Sequence, residues 1–276
     1  MRSDPLVVAG IAAALIASTY ALTGLPVSGV VLMGVPSGVA LVYRFDRTSP
    51  SAVEDADAHP DRRRWMRRHR GYVWGSTAVY GAVGTWAFVH LSIAAQAATV
   101  LFVALGVLYV RPVAGWRVKD IGAAKTVVVA AAWSAGVVVL PVLHGAGGTG
   151  GYGAEPLGLW MYRLGWLVPN LLCSDWSDRA ADRAAGLATV AHAWSHAQTR
   201  GIAALSAATA MVGAAAMAIA TGSVLWAAEA VALAGLVAGV ARCPVHPTAT
   251  YRLALDLYMA VPGLLAVAVR MWERGL

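Results

Sequence analysis

Nine long apolar runs constrain what this chain can fold into more than any other feature of its sequence. A helix needs about 20 apolar residues to cross the core of a bilayer. Runs of about that length lie at 5–24, 26–45, 71–90, 92–111, 125–143, 156–173, 199–220, 223–241 and 251–270. Only 13% of the 276 residues are charged, whereas soluble domains carry about 25%. The sequence therefore predicts an all-α membrane protein, with residues 1–276 forming one domain of nine transmembrane helices.

The positive charges are distributed unevenly between the two faces of this predicted bundle. Of 21 Lys and Arg residues, 18 lie in the N-terminus, in the even-numbered links between runs or at the run ends that border those links. Cytoplasmic loops of membrane proteins are enriched in Lys and Arg. We therefore expect a cytoplasmic N-terminus, an external C-terminus and cytoplasmic even-numbered links. The dense arginine run at 62–70 is expected to bind anionic headgroups rather than nucleic acid.

Three aspartates follow the sixth run, in the segment NLLCSDWSDRAADRAAGLAT at 170–189. Asp175, Asp178 and Asp182 have the spacing i, i+3, i+7, which places them within about 60° of one another around a helix. Like charges on one helix face repel, so the stripe favours a shared cation, and Mg²⁺ prefers carboxylate and phosphate oxygens. Arg179 and Arg183 on the neighbouring stripe could bind phosphate oxygens. The alternative is a solvated helix with internal Asp–Arg pairs.

A second acidic cluster follows the second run, on the same predicted face. It contains Asp46, directly at the end of the run, and then Glu54, Asp55, Asp57 and Asp61. Because both clusters lie beside helix ends at one membrane face, we expect residue 46 and residues 175–182 to converge at a single opening. Two Mg²⁺ ions between them could hold a diphosphate.

These motifs resemble the UbiA superfamily of intramembrane prenyltransferases, which has nine membrane helices and two Asp-rich cytoplasmic motifs. The residues that follow the family's second motif are Asn170, Asp175, Asp178, Asp182, Gly186 and Thr189. The link after the fourth run and the fifth run resemble a bacterial and archaeal branch at Lys119, Asp120, Lys125, Trp133 and Pro141. The resemblance implies a UbiA-like bundle in a bacterial or archaeal cell membrane, with the active site facing the cytoplasm.

The first motif departs from the family pattern, which is usually Asn-x-x-x-Asp-x-x-x-Asp. Val42 and Pro50 stand four residues before and after Asp46. Asp46 is therefore the one clear match, and Tyr43 and Arg47 beside it resemble a divergent branch of the superfamily. This departure leaves the number of metal ions and the substrate open.

The activity implied by the resemblance is Mg²⁺-dependent transfer of an isoprenoid chain from its diphosphate to a lipophilic or aromatic acceptor. The residues expected to bind Mg²⁺ and to support catalysis are Asp46, Asp175, Asp178 and Asp182. The residues expected to bind substrate are Asn170, Lys119, Lys125, Arg179, Arg183, Tyr43, Arg47 and Tyr162. The expected partners are an isoprenoid diphosphate, the acceptor and membrane lipid.

Several roles stay open within this interpretation. Aromatic rings such as those of Tyr162, Trp166 or Trp176 could stabilise an allylic cation. Either Asp175 or Asp46 could help to deprotonate the acceptor. A terpene cyclase of the same architecture is an alternative, because its substrate ionises in the same way and its acceptor is a double bond of the same chain.

A transporter or a non-catalytic membrane protein is the alternative from a different class. Arg163, Glu229 and Asp256 lie inside predicted runs, where charges are costly and commonly functional. Asp256 and Arg163 could form a structural pair, or they could line the substrate groove. Three scattered charges are few for an ion pathway, and a transporter would leave the two acidic clusters unexplained.

Overall fold

The computed structural model describes residues 5–48, 60–110, 124–145, 155–184 and 189–273. Within these ranges the chain is helical and contains no strand. The helices are α1 (Leu6–Thr23), α2 (Gly29–Thr48), α3 (Pro60–Arg68), α4 (Arg70–His90), α5 (Ile93–Val110), α6 (Ala124–Gly145), α7 (Glu155–Ala184), α8 (Val190–Ala193), α9 (His196–Thr221), α10 (Val224–Ala241), α11 (Ala249–Tyr258) and α12 (Val261–Glu273). The predicted all-α fold class is confirmed.

Each of the nine predicted runs coincides with helix, but the predicted count of nine membrane crossings is not confirmed. By length and hydropathy, five of the described helices can cross a membrane, namely α1, α2, α6, α9 and α10. The last run is broken into α11 and α12, which are bent by 42° and make a sixth crossing if they are taken together. Helix α7 has 30 residues, but its polar and charged side chains lower its hydropathy. The chain is an integral membrane protein with an all-helical bundle.

Short capping signals end some of these helices and begin others. Helices α1 and α9 end at Gly24 and Gly222, whose φ values of 68° and 67° lie in the left-handed region that glycine adopts without strain. Ser223 follows at once, and its hydroxyl accepts a hydrogen bond from the Trp226 backbone N–H at the start of α10. The α9–α10 connection is therefore a tight helical hairpin.

Small residues let the helices approach one another closely. Helix α9 buries Ala203, Ala207, Ala210 and Ala214, and it packs against α7 and α10. A Cβ at Gly165 of α7 would overlap the side chain of Ala210. Close packing of small side chains is a main source of helix association in lipid, so this contact helps to fix α7 against α9.

Helix α12 makes a similar approach to α1, and this contact yields a test of the packing. A Cβ at Gly263 would overlap backbone atoms of Ala14, which cannot swing aside as a side chain can. We expect Gly263→Ala to destabilise the bundle by about 1–3 kcal/mol, the usual cost of overpacking, and to lower the midpoint of thermal unfolding in detergent micelles. Gly213→Ala is the matched control, because nothing lies within 4 Å of a Cβ at that helical position. Equal midpoints for the two variants would contradict the close approach of α12 to α1.

Candidate functional site

A cavity of about 450 Å³ lies between helices α2, α4, α5, α6 and α7. Most of its lining is aliphatic, and it extends along α2 from Val30 to Asp46, about 24 Å at 1.5 Å of rise per residue. Phe88, Leu91 and Leu140 lie towards the end at Val30, where α4 and α6 finish and α5 begins. The cavity therefore combines a long apolar compartment with one polar end.

The polar end holds all four aspartates to which the sequence analysis assigned metal binding. Asp46 comes from the C-terminal end of α2, and Asp175, Asp178 and Asp182 come from the C-terminal part of α7. Lys125 lines the same end from the start of α6. The structure thus places Asp46, Asp175, Asp178 and Asp182 in the lining of one cavity, as the expected convergence of the two acidic motifs requires.

Lys125 lies between two of the three aspartates of α7. Its ammonium nitrogen is 3.0 Å from Asp182 Oδ2 and 3.4 Å from Asp175 Oδ1. The side chains of Asp175 and Asp182 are only 9% and 6% exposed. They lie seven residues apart, so they project in nearly the same direction from α7, and one cation serves both. The neighbouring Thr126 hydroxyl also donates a hydrogen bond to Asp175.

Burial affects the charge of Asp175, which lies beyond the predicted membrane run at 156–173. Loss of solvent raises the pKa of its carboxyl above the ordinary value, while the positive charge of Lys125 and the Thr126 hydrogen bond act in the opposite direction. Lys125 therefore favours the ionised carboxylate in a position where burial alone would disfavour it.

Helix α11 also contacts the acidic segment of α7. The Arg252 guanidinium forms a bidentate pair with Asp178, with Nη1 2.9 Å from Oδ1 and Nη2 3.4 Å from Oδ2. One turn along α11, Asp256 accepts a hydrogen bond from the Asn170 side-chain amide at 3.2 Å. These two contacts attach α11 to α7. Asn170 therefore binds Asp256 rather than lining the cavity.

The donor set fits Mg²⁺ held jointly with a phosphate ligand. Among the described residues, no group of three or more His, Cys, Asp or Glu side chains is arranged as a protein-only metal site. Mg²⁺ seldom uses such a site, because it usually takes one or two carboxylates together with substrate phosphates and water. Asp46, Asp175, Asp178 and Asp182 supply carboxylates of this kind around one opening. The cofactor itself stays a prediction.

The arginines that were expected to bind substrate lie outside the cavity lining. The Arg179 guanidinium lies over the Trp176 ring, 4.2 Å from its centroid, and Arg183 is exposed. The Arg47 guanidinium lies 5.4 Å from the centroid of the Tyr43 ring, and Tyr43 does line the cavity. Arg179 and Arg183 do not line the cavity as expected. The aspartates of α7 face the cavity, so the neighbouring stripe of the same helix, which holds these arginines, points away from it. Lys119, Glu54, Asp55 and Asp57 lie outside the described residues.

Tyr162 was also expected in the substrate site, but it is not part of the cavity lining. Its hydroxyl donates a hydrogen bond to Glu229 and accepts one from Trp166 Nε1 at 2.9 Å. Arg163 binds the same carboxylate, with Nη1 3.2 Å from Oε2, and both charged side chains are fully buried. Ser18 of α1 completes this cluster by donating to Glu229 and accepting from Arg163.

This buried cluster corrects the interpretation of the charges inside the membrane. The considered pair of Asp256 with Arg163 does not form, because Arg163 pairs with Glu229 of α10 and Asp256 binds Asn170. Trp166 belongs to the cluster, and Trp176 donates its indole N–H to the Val245 carbonyl at 3.0 Å. Neither tryptophan lines the cavity. This buried set of contacts joins α1, α7 and α10 and is expected to stabilise the bundle.

Sequence reasoning missed several residues of the polar end. Tyr109 and Thr126 line it, and Arg252 lies beside it. Trp133 lines the cavity as well, with its ring centroid 6.3 Å from that of Tyr43 in an edge-on arrangement. A signal was available for Arg252, since it lies one helical turn before Asp256 at the beginning of the last apolar run.

Comparisons with known proteins bear on the fold. No protein-family model matches the chain, and no curated protein matches it. Among solved structures, the apo form of a UbiA homolog from Aeropyrum pernix K1 is similar, with a TM-score of 0.70 over 95% of this chain and 98% of that one, at 14% sequence identity. The chain has a UbiA-type fold. In this UbiA-type bundle the described helices α2 and α7 carry the two acidic motifs to one end of a shared cavity.

Proposed function

We propose that the chain is a Mg²⁺-dependent intramembrane prenyltransferase, which moves an isoprenoid chain from its diphosphate to a lipophilic acceptor. The observation that carries this proposal is the cavity, because four aspartates from two helices surround one end of a long apolar compartment. A substrate with an anionic head and a long hydrocarbon tail matches this arrangement, with its head at the polar end and its tail in the apolar compartment. The UbiA-type fold supports the same class of reaction.

The two parts of the cavity have different tasks in this proposal. The aliphatic walls of α2, α5 and α6 bind the isoprenoid tail and exclude water from the reacting carbon. Asp46, Asp175, Asp178 and Asp182 would hold Mg²⁺, which when bound supplies positive charge that stabilises the departing diphosphate. Lys125 adds a fixed cation at the same end, where it holds Asp175 and Asp182 in place.

Aromatic rings near the polar end suit a reaction that passes through an allylic cation. Tyr43, Tyr109 and Trp133 all line the cavity, and the face of an aromatic ring attracts a cation within about 6 Å of its centroid. These three side chains replace Tyr162, Trp166 and Trp176 as candidates for that role. The acceptor is proposed to enter the same compartment from the lipid, since the surrounding helices are apolar.

The decisive experiment uses the purified full-length chain in nanodiscs with Mg²⁺ and either farnesyl or geranylgeranyl diphosphate. We expect prenylated product and released diphosphate when a quinone precursor or a lipid alcohol is added as acceptor. Hydrocarbon or alcohol products without any acceptor would instead favour the membrane terpene cyclase. Absence of diphosphate release under every condition, together with an Asp175→Asn variant that behaves as wild type in all other assays, would support a transporter or a non-catalytic protein.

A further inference from the structure

Asp178 differs from the other two aspartates of α7 in its ion-pair partner. Both of its carboxylate oxygens contact one guanidinium, that of Arg252, at 2.9 Å and 3.4 Å. Asp178 also lines the cavity. While Arg252 lies there, it competes with a divalent cation for Asp178, because both are positive charges that bind the carboxylate oxygens.

The Arg252–Asp178 ion pair is more exposed to solvent than the contacts of Lys125, and it can therefore separate more easily. Its side chains are 31% and 29% exposed, whereas Asp175 and Asp182 are 9% and 6% exposed beside Lys125. Water screens an exposed ion pair and makes its net contribution small. The second contact of α11, from Asn170 to Asp256 at 3.2 Å, keeps the helix on α7 when the Arg252 side chain moves.

If Arg252 leaves Asp178, the diphosphate of the proposed substrate can become its second partner. The Arg252 guanidinium contacts Asp178, which lines the polar end of the cavity. A small movement of the Arg252 side chain would therefore leave the guanidinium near that end. The planar fork of an arginine binds phosphate oxygens in a bidentate manner. A diphosphate held at Asp178 through a cation would lie beside that fork.

We infer that Arg252 exchanges with the divalent cation on Asp178 and pairs with the substrate diphosphate instead. This inference rests on the proposed function, and it assigns Arg252 as a positioning residue of that site. In the empty site the guanidinium neutralises Asp178. In the loaded site it binds the diphosphate from α11.

The test measures binding rather than turnover, on the full-length chain in nanodiscs with Mn²⁺ as the probe cation. Free Mn²⁺ is followed by electron paramagnetic resonance for wild type, Arg252→Gln and Arg252→Lys. Removal of the competing guanidinium is expected to tighten Mn²⁺ binding by about fivefold in Arg252→Gln, while Arg252→Lys stays near wild type. Arg242→Gln is the matched control, because Arg242 is an exposed arginine at the end of α10.

A second arm adds farnesyl thiodiphosphate, an unreactive analogue, at saturating Mn²⁺. Loss of the guanidinium clamp is expected to weaken analogue binding by about tenfold in Arg252→Gln but not in Arg242→Gln. Equal Mn²⁺ and analogue affinities in these two variants would overturn the exchange, even if wild type transfers prenyl groups. If the exchange is measured and wild type never releases diphosphate, the proposed reaction fails while the role of Arg252 stands.

Discussion

Asp178→Ala is expected to lower diphosphate release by about 10³-fold, the upper range for removing one group that stabilises developing charge in an active site. Asp178 lines the polar end of the cavity, and its carboxylate is expected to bind the divalent cation that stabilises the departing diphosphate. The substitution should leave the bundle intact, because the side chain is 29% exposed and its partner Arg252 is 31% exposed. The measurements are diphosphate release from geranylgeranyl diphosphate, the yield of membrane-inserted protein and the midpoint of thermal unfolding.

Ser177→Ala provides the matched control for this prediction. Ser177 is the preceding residue of the same helix, and its hydroxyl donates to the Cys173 carbonyl within α7. Removing that hydroxyl should leave diphosphate release within about twofold of wild type, as expected for a substitution away from the site. A fall in protein yield for Asp178→Ala that matches its fall in activity would instead indicate that the aspartate is needed for the fold.

The local arrangement of the acidic segment could be predicted because helical periodicity determines it. The spacing of Asp175, Asp178 and Asp182 places all three on one side of a helix, and all three line the cavity. Convergence with Asp46 could be expected from topology, since both motifs follow apolar runs that end at the same predicted membrane face.

The partners of these residues could not be predicted, because they depend on the register between helices that are distant in sequence. Arg252 of α11 and Asp178 of α7 form an ion pair. Neither local sequence determines how these two helices are aligned with each other. The contacts of Tyr162 could not be predicted for the same reason. It lies on α7, the helix that carries the acidic motif, but it faces Glu229 of α10 instead of the cavity. The count of nine crossings is not confirmed by length and hydropathy in the described residues, since hydropathy falls in helices such as α7 that bury charged side chains.

Glu229→Ala is expected to cause the largest loss of stability of any single substitution in the bundle. Glu229 is fully buried and is the shared acceptor for Ser18, Tyr162 and Arg163. Truncating it leaves the Arg163 guanidinium buried without its counter-charge, which typically costs about 3–5 kcal/mol. The three donors come from α1 and α7, whereas Glu229 belongs to α10. The loss should therefore appear as reduced membrane accumulation and as a lowered midpoint of thermal unfolding in nanodiscs.

The double variant Arg163→Met/Glu229→Leu separates the cost of an unpaired charge from the cost of altered packing. Replacing both members of a buried ion pair with apolar side chains of similar volume is often neutral or stabilising, so this variant should recover most of the lost stability. The cluster lies outside the described lining of the cavity. Diphosphate release by the folded double variant should therefore stay close to that of wild type. A double variant as unstable as Glu229→Ala would show that hydrogen bonds from Ser18 and Tyr162 hold α1, α7 and α10 together. A stable double variant that has lost activity would show that the cluster serves the reaction.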